Sequence, residues 1–278
     1  MTNRGLGWRP DLPDIRDEKY AFKAALRHEL VELSTLPVRK LVPWQYTPTR
    51  TKDVLTLPVK DQTITNSCTG QSTSTMVDII SGWVPRSPLE LYWFGRVEIG
   101  ETDRDEGAYI RDVIKHAAVE GAGSESLWPF RADRVTVKPS NVELLSASRH
   151  KVKTYHRLVT RQDFLSCLAQ GFPFVIGITC YDDFVTTGSY VDRTGVLLLP
   201  TGSVQGGHAI CCIGYDNDFR NSEWGKRAIA AGINVPDHVY IFRNSWGVDW
   251  GYKGNFAVDA VYIENNNLAD DAWTVRIR

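Results

Sequence analysis

The spacing of apolar positions changes character along the chain. Up to about residue 50 it is broken by proline and charge. Trp8-Arg9-Pro10-Asp11-Leu12-Pro13-Asp14-Ile15-Arg16-Asp17 predicts extended backbone lying on a surface. Tyr20 to Leu33 carries apolar residues at helical intervals, and Pro37, Pro43 and Pro48 then keep the chain extended. From Leu57 the pattern tightens, with helical signals over 68–81, 87–99 and 109–120. Ser87-Pro88-Leu89-Glu90 is a capped helix start, and Gly121 a helix stop. Past residue 150 the pattern turns to strands, at 151–159, 172–179, 196–199, 208–214, 239–243 and 255–258, with a short helix at 161–170. Helices first and strands afterwards predict an α+β fold, a helical half and a sheet or barrel half, with a cleft between them as the place for a substrate.

One helix is not supported by propensity. Gln71-Ser72-Thr73-Ser74-Thr75 is poor helix sequence, and the reason to expect a helix there is the residue that opens it, Cys68. At a helix N-terminus unpaired N–H groups and the dipole favour thiolate over thiol. Gln62, six residues earlier, can aim its side-chain amide at whatever the sulfur attacks.

Composition narrows the classes. In 278 residues, 42% hydrophobic, the formal net charge is −1, so no nucleic-acid partner is expected. No apolar run spans a bilayer and the N-terminus lacks a signal-peptide core, so no membrane partner is expected, and the location is read as cytoplasmic or reached by a non-classical export route. The five cysteines (68, 167, 180, 211 and 212) are too sparse for a disulfide scaffold and are read as reduced thiols. The histidines show no metal-ligand spacing, and neither metal nor cofactor is expected.

A cysteine nucleophile needs a base and something to orient it. His208, in Gly206-Gly207-His208-Ala209-Ile210, is the strongest base in the sequence, although a histidine entering an apolar strand is more often a packed core residue. Asn244, in Arg243-Asn244-Ser245-Trp246-Gly247-Val248-Asp249-Trp250-Gly251, can accept from the imidazole without adding charge. Trp246 can cover that hydrogen bond. Read blandly, Asn-Ser-Trp-Gly is a tight turn with tryptophans filling core.

Together these segments resemble the papain-like cysteine peptidases, from about Leu57 to Trp273. His208 and Asn244 follow Cys68 by 140 and 176 residues, against a family spacing of roughly 130–150. A segment around Asn217 to Pro236 accounts for the excess as an insertion. Gly7-Trp8-Arg9-Pro10-Asp11, Ser67-Cys68-Thr69-Gly70, Glu106-Gly107 with Ile110-Arg111-Asp112, and 268–273 are most similar to prokaryotic members.

The resemblance implies a papain-like two-lobed fold. Residues 1–50 are an N-terminal extension able to shield the cleft. Residues 51–150 form a mainly helical lobe, and 151–278 a mainly β, barrel-like lobe whose C-terminal tail can return to the helical lobe. It implies a peptidase, expected to be an endopeptidase acting on peptide or protein substrates. Cys68 is the nucleophile, His208 the base and later the acid, Asn244 its orienter, and Gln62 with the Cys68 N–H the oxyanion donors. Gly207 and Ala209 are expected to line the main specificity pocket, with Glu106, Gly107 and Tyr109 opposite. The small Ala209 points to a bulky apolar residue two positions before the cut.

Where the family has a disulfide cysteine, a glycine and an aromatic, this chain has Thr65, Asn66 and Thr69. Asn66 is expected to take the glycine's positive φ. The alternatives are acyl transfer or deamidation through the same acyl-enzyme, or a papain-fold binding protein without turnover. Because no long helical propeptide is present, residues 1 to about 40 are expected to lie across the cleft as an intramolecular inhibitor.

Overall fold

The computed structural model describes residues 4–20, 37–42, 44–47, 50–52 and 54–277. The helical half begins with Cys68–Ile80, the helix that propensity does not support. Burial accounts for it: every residue from Cys68 to Ile79 is buried, so small side chains are what the space admits. A Cβ at Gly70 would lie 2.4 Å from Pro88 O and 2.7 Å from Tyr92 Cβ, so glycine allows the helix Pro88–Gly95 to cross closely. The two serine hydroxyls in its middle are satisfied, Ser72 Oγ by Cys68 O at 2.8 Å and Ser74 Oγ by Arg86 O at 2.6 Å.

Ser87 caps the next helix by accepting from Glu90 N, with Pro88 in the first turn. The third, Ile110–Val119, stops at Gly121, whose φ is 108°. These are the helix starts and stops expected from the sequence.

The β half is an eight-stranded sheet. Its path runs Thr154–Leu158, Ala269–Arg276, Phe174–Tyr181, Val204–Asp216, Val239–Arg243, Asn255–Asp259 and Val196–Leu197, and Arg39–Leu41 pairs with Val204–Asp216. Ala269–Arg276 has no counterpart in the sequence reading. Its alternation is broken at Asp271, which has φ 57°, and its register against Phe174–Tyr181 shifts between Asp270 and Trp273. The helices Asn141–Ala147 and Glu223–Ala230 also went unread, the second inside the segment taken as an insertion.

Among the described residues, no helix is long and apolar enough to cross a membrane. All five cysteines are free and buried. The amphipathic stretch Tyr20 to Leu33 lies, beyond Tyr20, outside the described residues. In the segment before it, Trp8–Arg9 pairs in parallel with Ala108–Tyr109 and lies beside the long strand carrying His208.

Candidate active site

Cys68 opens its helix and is fully buried. The backbone of Ala209, next to His208, and that of Gly7 lie near its sulfur and favour the thiolate. Burial outweighs them and pushes the thiol up to about 11.

His208 Nε2 lies 2.8 Å from Asn244 Oδ1. Ser245 N donates to the same atom at 2.8 Å, which identifies it as the amide oxygen and makes Nε2 the protonated imidazole nitrogen. Nδ1 is then the lone-pair nitrogen, and it is buried with no hydrogen-bond partner among the described residues. The Trp246 ring lies 4.7 Å from the imidazole at 31°, over the side of the ring that bonds Asn244. Burial pushes His208 down to about 4; its bond to Asn244 opposes this, and the charge of Arg4 adds to it.

Asn244 is positioned from below by Arg243. This buried guanidinium donates to Leu57 O at 2.9 Å, Pro58 O at 3.0 Å and Val54 O at 2.6 Å, fastening the end of the strand to the start of the helical half.

Gln62 is equally fixed. Its Oε1 accepts from Ser245 Oγ at 2.6 Å, while its Nε2 donates to Thr65 O at 2.7 Å and to Gly5 O at 3.1 Å. The amide that was expected to receive an oxyanion thus already holds a peptide carbonyl.

That carbonyl belongs to the N-terminal segment, whose residues 4–9 run against Gln62, Asn66, Ala108 and Trp246. Arg4 Nη1 donates to Trp246 O at 2.9 Å and its guanidinium sits over the Trp246 ring. Leu6 N donates to Asn66 Oδ1 at 3.0 Å. Gly7 O accepts from Ala108 N at 2.9 Å, and Arg9 donates to Glu106 O at 3.0 Å. A Cβ at Gly107 would come within 2.1 Å of Gly7 O, and one at Gly207 within 2.6 Å of Trp8 O. Glu106, Gly107, Tyr109 and Gly207 therefore flank this segment, with Ala209 beneath it at the sulfur.

The loop where the chain departs from the family is the seat of this segment. The positive φ falls on Thr63, at 54°, and not on Asn66. Asn66 serves instead as a hydrogen-bond hub: it holds Leu6, and its N–H donates to the Asp105 carboxylate at 3.0 and 3.1 Å. Thr65 Oγ1 donates to Gln62 O at 2.7 Å, closing the loop without a disulfide.

Sequence reasoning missed Asp271 and Gly177. Asp271, 1% exposed, accepts Trp8 Nε1 at 3.2 Å and Asp11 N at 2.6 Å on one oxygen, and Arg157 at 2.8 Å on the other. A Cβ at Gly177 would lie 2.0 Å from the Trp8 indole. Both lie in segments the sequence singled out, 172–179 as a strand and 268–273 for its resemblance, but neither residue was given a role there. Among the described residues there is no cluster of three or more His, Cys, Asp or Glu side chains that could hold a metal ion.

The chain matches the papain family cysteine proteases over residues 45–274. Among solved structures it is similar to xylellain, a cysteine protease from Xylella fastidiosa, with 27% identity, a TM-score of 0.76, and coverage of 100% of this chain and 97% of that one. It has the fold of a procathepsin B from Trypanosoma congolense, at 15% identity, a TM-score of 0.66, and coverage of 99% and 87%. An uncharacterised peptidase C1-like protein of Acanthamoeba polyphaga mimivirus is 29% identical over 201 residues, 68% of this chain, and the chain spans 58% of that protein's length. The chain belongs to the papain family of cysteine proteases.

Proposed function

We propose that this protein is a cysteine endopeptidase of prokaryotic type, held latent by its own N-terminal segment. The observation that carries the reading is the buried His208–Asn244 hydrogen bond under Trp246, which leaves an unpartnered imidazole nitrogen beside the strand position that contacts Cys68. Similarity to xylellain over the whole chain supports the prokaryotic affinity.

In the mechanism, His208 Nδ1 takes the Cys68 proton and the thiolate attacks the substrate carbonyl. Gln62 Nε2 and the Cys68 N–H receive the oxyanion. The imidazolium then protonates the leaving amine, and a water deprotonated by His208 hydrolyses the acyl-enzyme.

Latency follows from the same groups. With the thiol at about 11 and the imidazole at about 4, the closed site holds a neutral pair. The segment passes the sulfur at Gly7, whose carbonyl is turned to Ala108 N. Its departure admits water and removes the Arg4 charge, and both changes favour the thiolate–imidazolium pair.

Hydrolysis of an internally quenched peptide blocked at both termini tests the reading. Internal cleavage, lost in Cys68→Ala, is expected; cleavage only of peptides with a free terminus would replace endopeptidase with exopeptidase. Gln62→Ala is expected to lower kcat by about 10²–10³ through loss of one oxyanion donor, a change that would show as a fall in kcat with KM nearly unaltered.

A further inference from the structure

Two residues before Gln62, Lys60 turns its ammonium into the helical half. Its side chain is 10% exposed, with Nζ 3.2 Å from Asp78 Oδ2, 2.8 Å from Glu125 Oε2 and 3.2 Å from Arg86 O. Asp78 is fully buried and lies in the last turn of the helix that Cys68 opens, where its other oxygen accepts Arg86 N at 2.7 Å. Burial acts to lower Lys60, but Asp78 and Glu125 more than offset it and leave the amine raised. Burial pushes Asp78 up to about 6 against the pull of Lys60, so the pair is ionised at neutral pH. A buried ion pair adds little to stability, because taking both charges out of water offsets their attraction. What it does fix is register. On the far side, the backbone of residues 60–62 is zipped to the turn after Asn244. Gly247 N donates to Lys60 O at 3.1 Å, Gln62 N donates to Ser245 O at 2.8 Å, and Asp61 bridges to Trp246.

We propose that Lys60 and Asp78 are a positioning pair that sets the Gln62 amide against the Cys68 sulfur, by tying the glutamine's backbone to the helix the cysteine opens. The inference rests on the peptidase reading and concerns how its oxyanion donor is placed. Between Gln62 and Cys68 the chain makes a turn that is neither helix nor strand and that passes through the left-handed Thr63 at φ 54°. Within that turn Thr65 O holds the Gln62 amide, and Ser245 holds it from the β half. The cysteine's helix is reached through Lys60 and Asp78. An oxyanion donor works only at hydrogen-bond distance from the atom where charge develops, and a misplacement of about 1 Å can cost about 10²-fold in rate. A tie between donor and nucleophile that crosses the junction of the two halves therefore bears on kcat more than on folding.

Two readouts on the full-length chain test this. The variant is Lys60→Met with Asp78→Asn, which removes the pair without leaving a lone buried charge and keeps an acceptor for Arg86 N. In the first readout, NMR follows isotope-labelled glutamine side chains, and the Gln62 amide is the resonance absent from Gln62→Ala. Its hydrogen exchange is expected to be about 10-fold faster in the double variant, with cooperative unfolding retained. In the second, peptide hydrolysis is measured with Gly7→Ala present throughout. Removing the pair is expected to lower kcat about 10-fold at nearly constant KM, and to change kcat less than about 2-fold once Gln62→Ala is also present. Alkylation of Cys68 by iodoacetamide, which is attacked at a saturated carbon and forms no oxyanion, is expected to be unchanged. Lys60→Arg, which keeps the charge beside Asp78, is expected to retain most of kcat. Should the double variant not fold, Asp78→Asn alone, which leaves Lys60 its Glu125 partner, is expected to show the same pattern with a smaller fall. An unchanged kcat, a loss that persists in Gln62→Ala, or an equal loss of alkylation overturns the proposal. A Gln62 resonance unmoved by the variant overturns it whether or not peptide is cut. If no peptide is cut but the resonance responds as expected, the positioning stands and the peptidase reading falls.

Discussion

Replacing Gly7 with alanine is expected to raise peptide hydrolysis by the full-length chain about 10- to 100-fold. A Cβ there would sit 1.8 Å from Asn66 O and 2.8 Å from Asn66 Cβ, and Asn66 is pinned by Asp105, so the loop cannot yield. Overpacking against fixed backbone costs about 1–3 kcal/mol. Spent on an equilibrium between seated and displaced segment, that multiplies the displaced fraction by about 5–150. Gly5→Ala is expected to act in the same direction, because its Cβ would lie 1.8 Å from Thr65 O. Neither residue takes part in the proposed chemistry. Substrate and segment compete for the same site, so the change is expected as a fall in apparent KM at nearly constant kcat. Unchanged hydrolysis in both variants would show that the segment does not limit access.

The second large effect concerns pH. Two groups, His208 against the seated segment and Asp11 within it, have shifts of opposite sign. His208 is pushed down from 6.5 to about 4, so it favours the seated state above pH 6.5, and this contribution is lost as pH falls towards 4. Asp11 is pushed up from 3.8 to about 7, by burial first and by Asp271 second. It favours the seated state below about pH 4, and that contribution is lost as pH rises through 7. Between pH 4 and 7 the two oppose each other, so acid alone is expected to leave the segment seated. Asp11→Asn removes one side of the balance. Its Cys68 labelling is expected to accelerate about 10-fold or more between pH 6.5 and 4.5, while the unaltered chain changes little. A steep acid activation of the unaltered chain would contradict this, as would an Asp11→Asn profile parallel to it.

Much of the site was legible because its chemistry is carried by short contiguous segments. The sequence around Cys68, His208 and Asn244 supplied a thiol at a helix start, a base entering a strand and an amide before a tryptophan. The structure places His208 on Asn244 under Trp246, with the neighbouring Ala209 at the Cys68 sulfur. The strands pairing around His208 were legible for a similar reason: Val239–Arg243 and Asn255–Asp259 are bounded by turn residues and packed on apolar side chains.

What the sequence concealed depends on approach between distant segments. Gly5 and Gly7 look like punctuation, yet they are the positions where the N-terminal backbone passes against Thr65 and Asn66. Asn66 was assigned a glycine's backbone role and instead anchors that passage. Asp271 lies where the backbone turns left-handed and breaks the alternation of Ala269–Arg276, which hid both the strand and the acid it aims at Trp8. The helix from Cys68 reversed the usual inference: serine and threonine argue against helix in water, but in a fully buried crossing their small size is what permits it.

The central claim is that Cys68, activated by His208, is the reactive nucleophile and that the N-terminal segment covers it. Its most direct measurement is treatment of the full-length chain and of Gly7→Ala with an irreversible thiol-reactive peptidyl epoxide, followed by mass-spectrometric location of the adduct. The expected result is a single adduct on Cys68, slow in the unaltered chain, fast in Gly7→Ala, and lost from Gly7→Ala when His208→Ala is added. Labelling spread over several of the five cysteines, or labelling of Cys68 indifferent to both His208 and Gly7, would contradict the account.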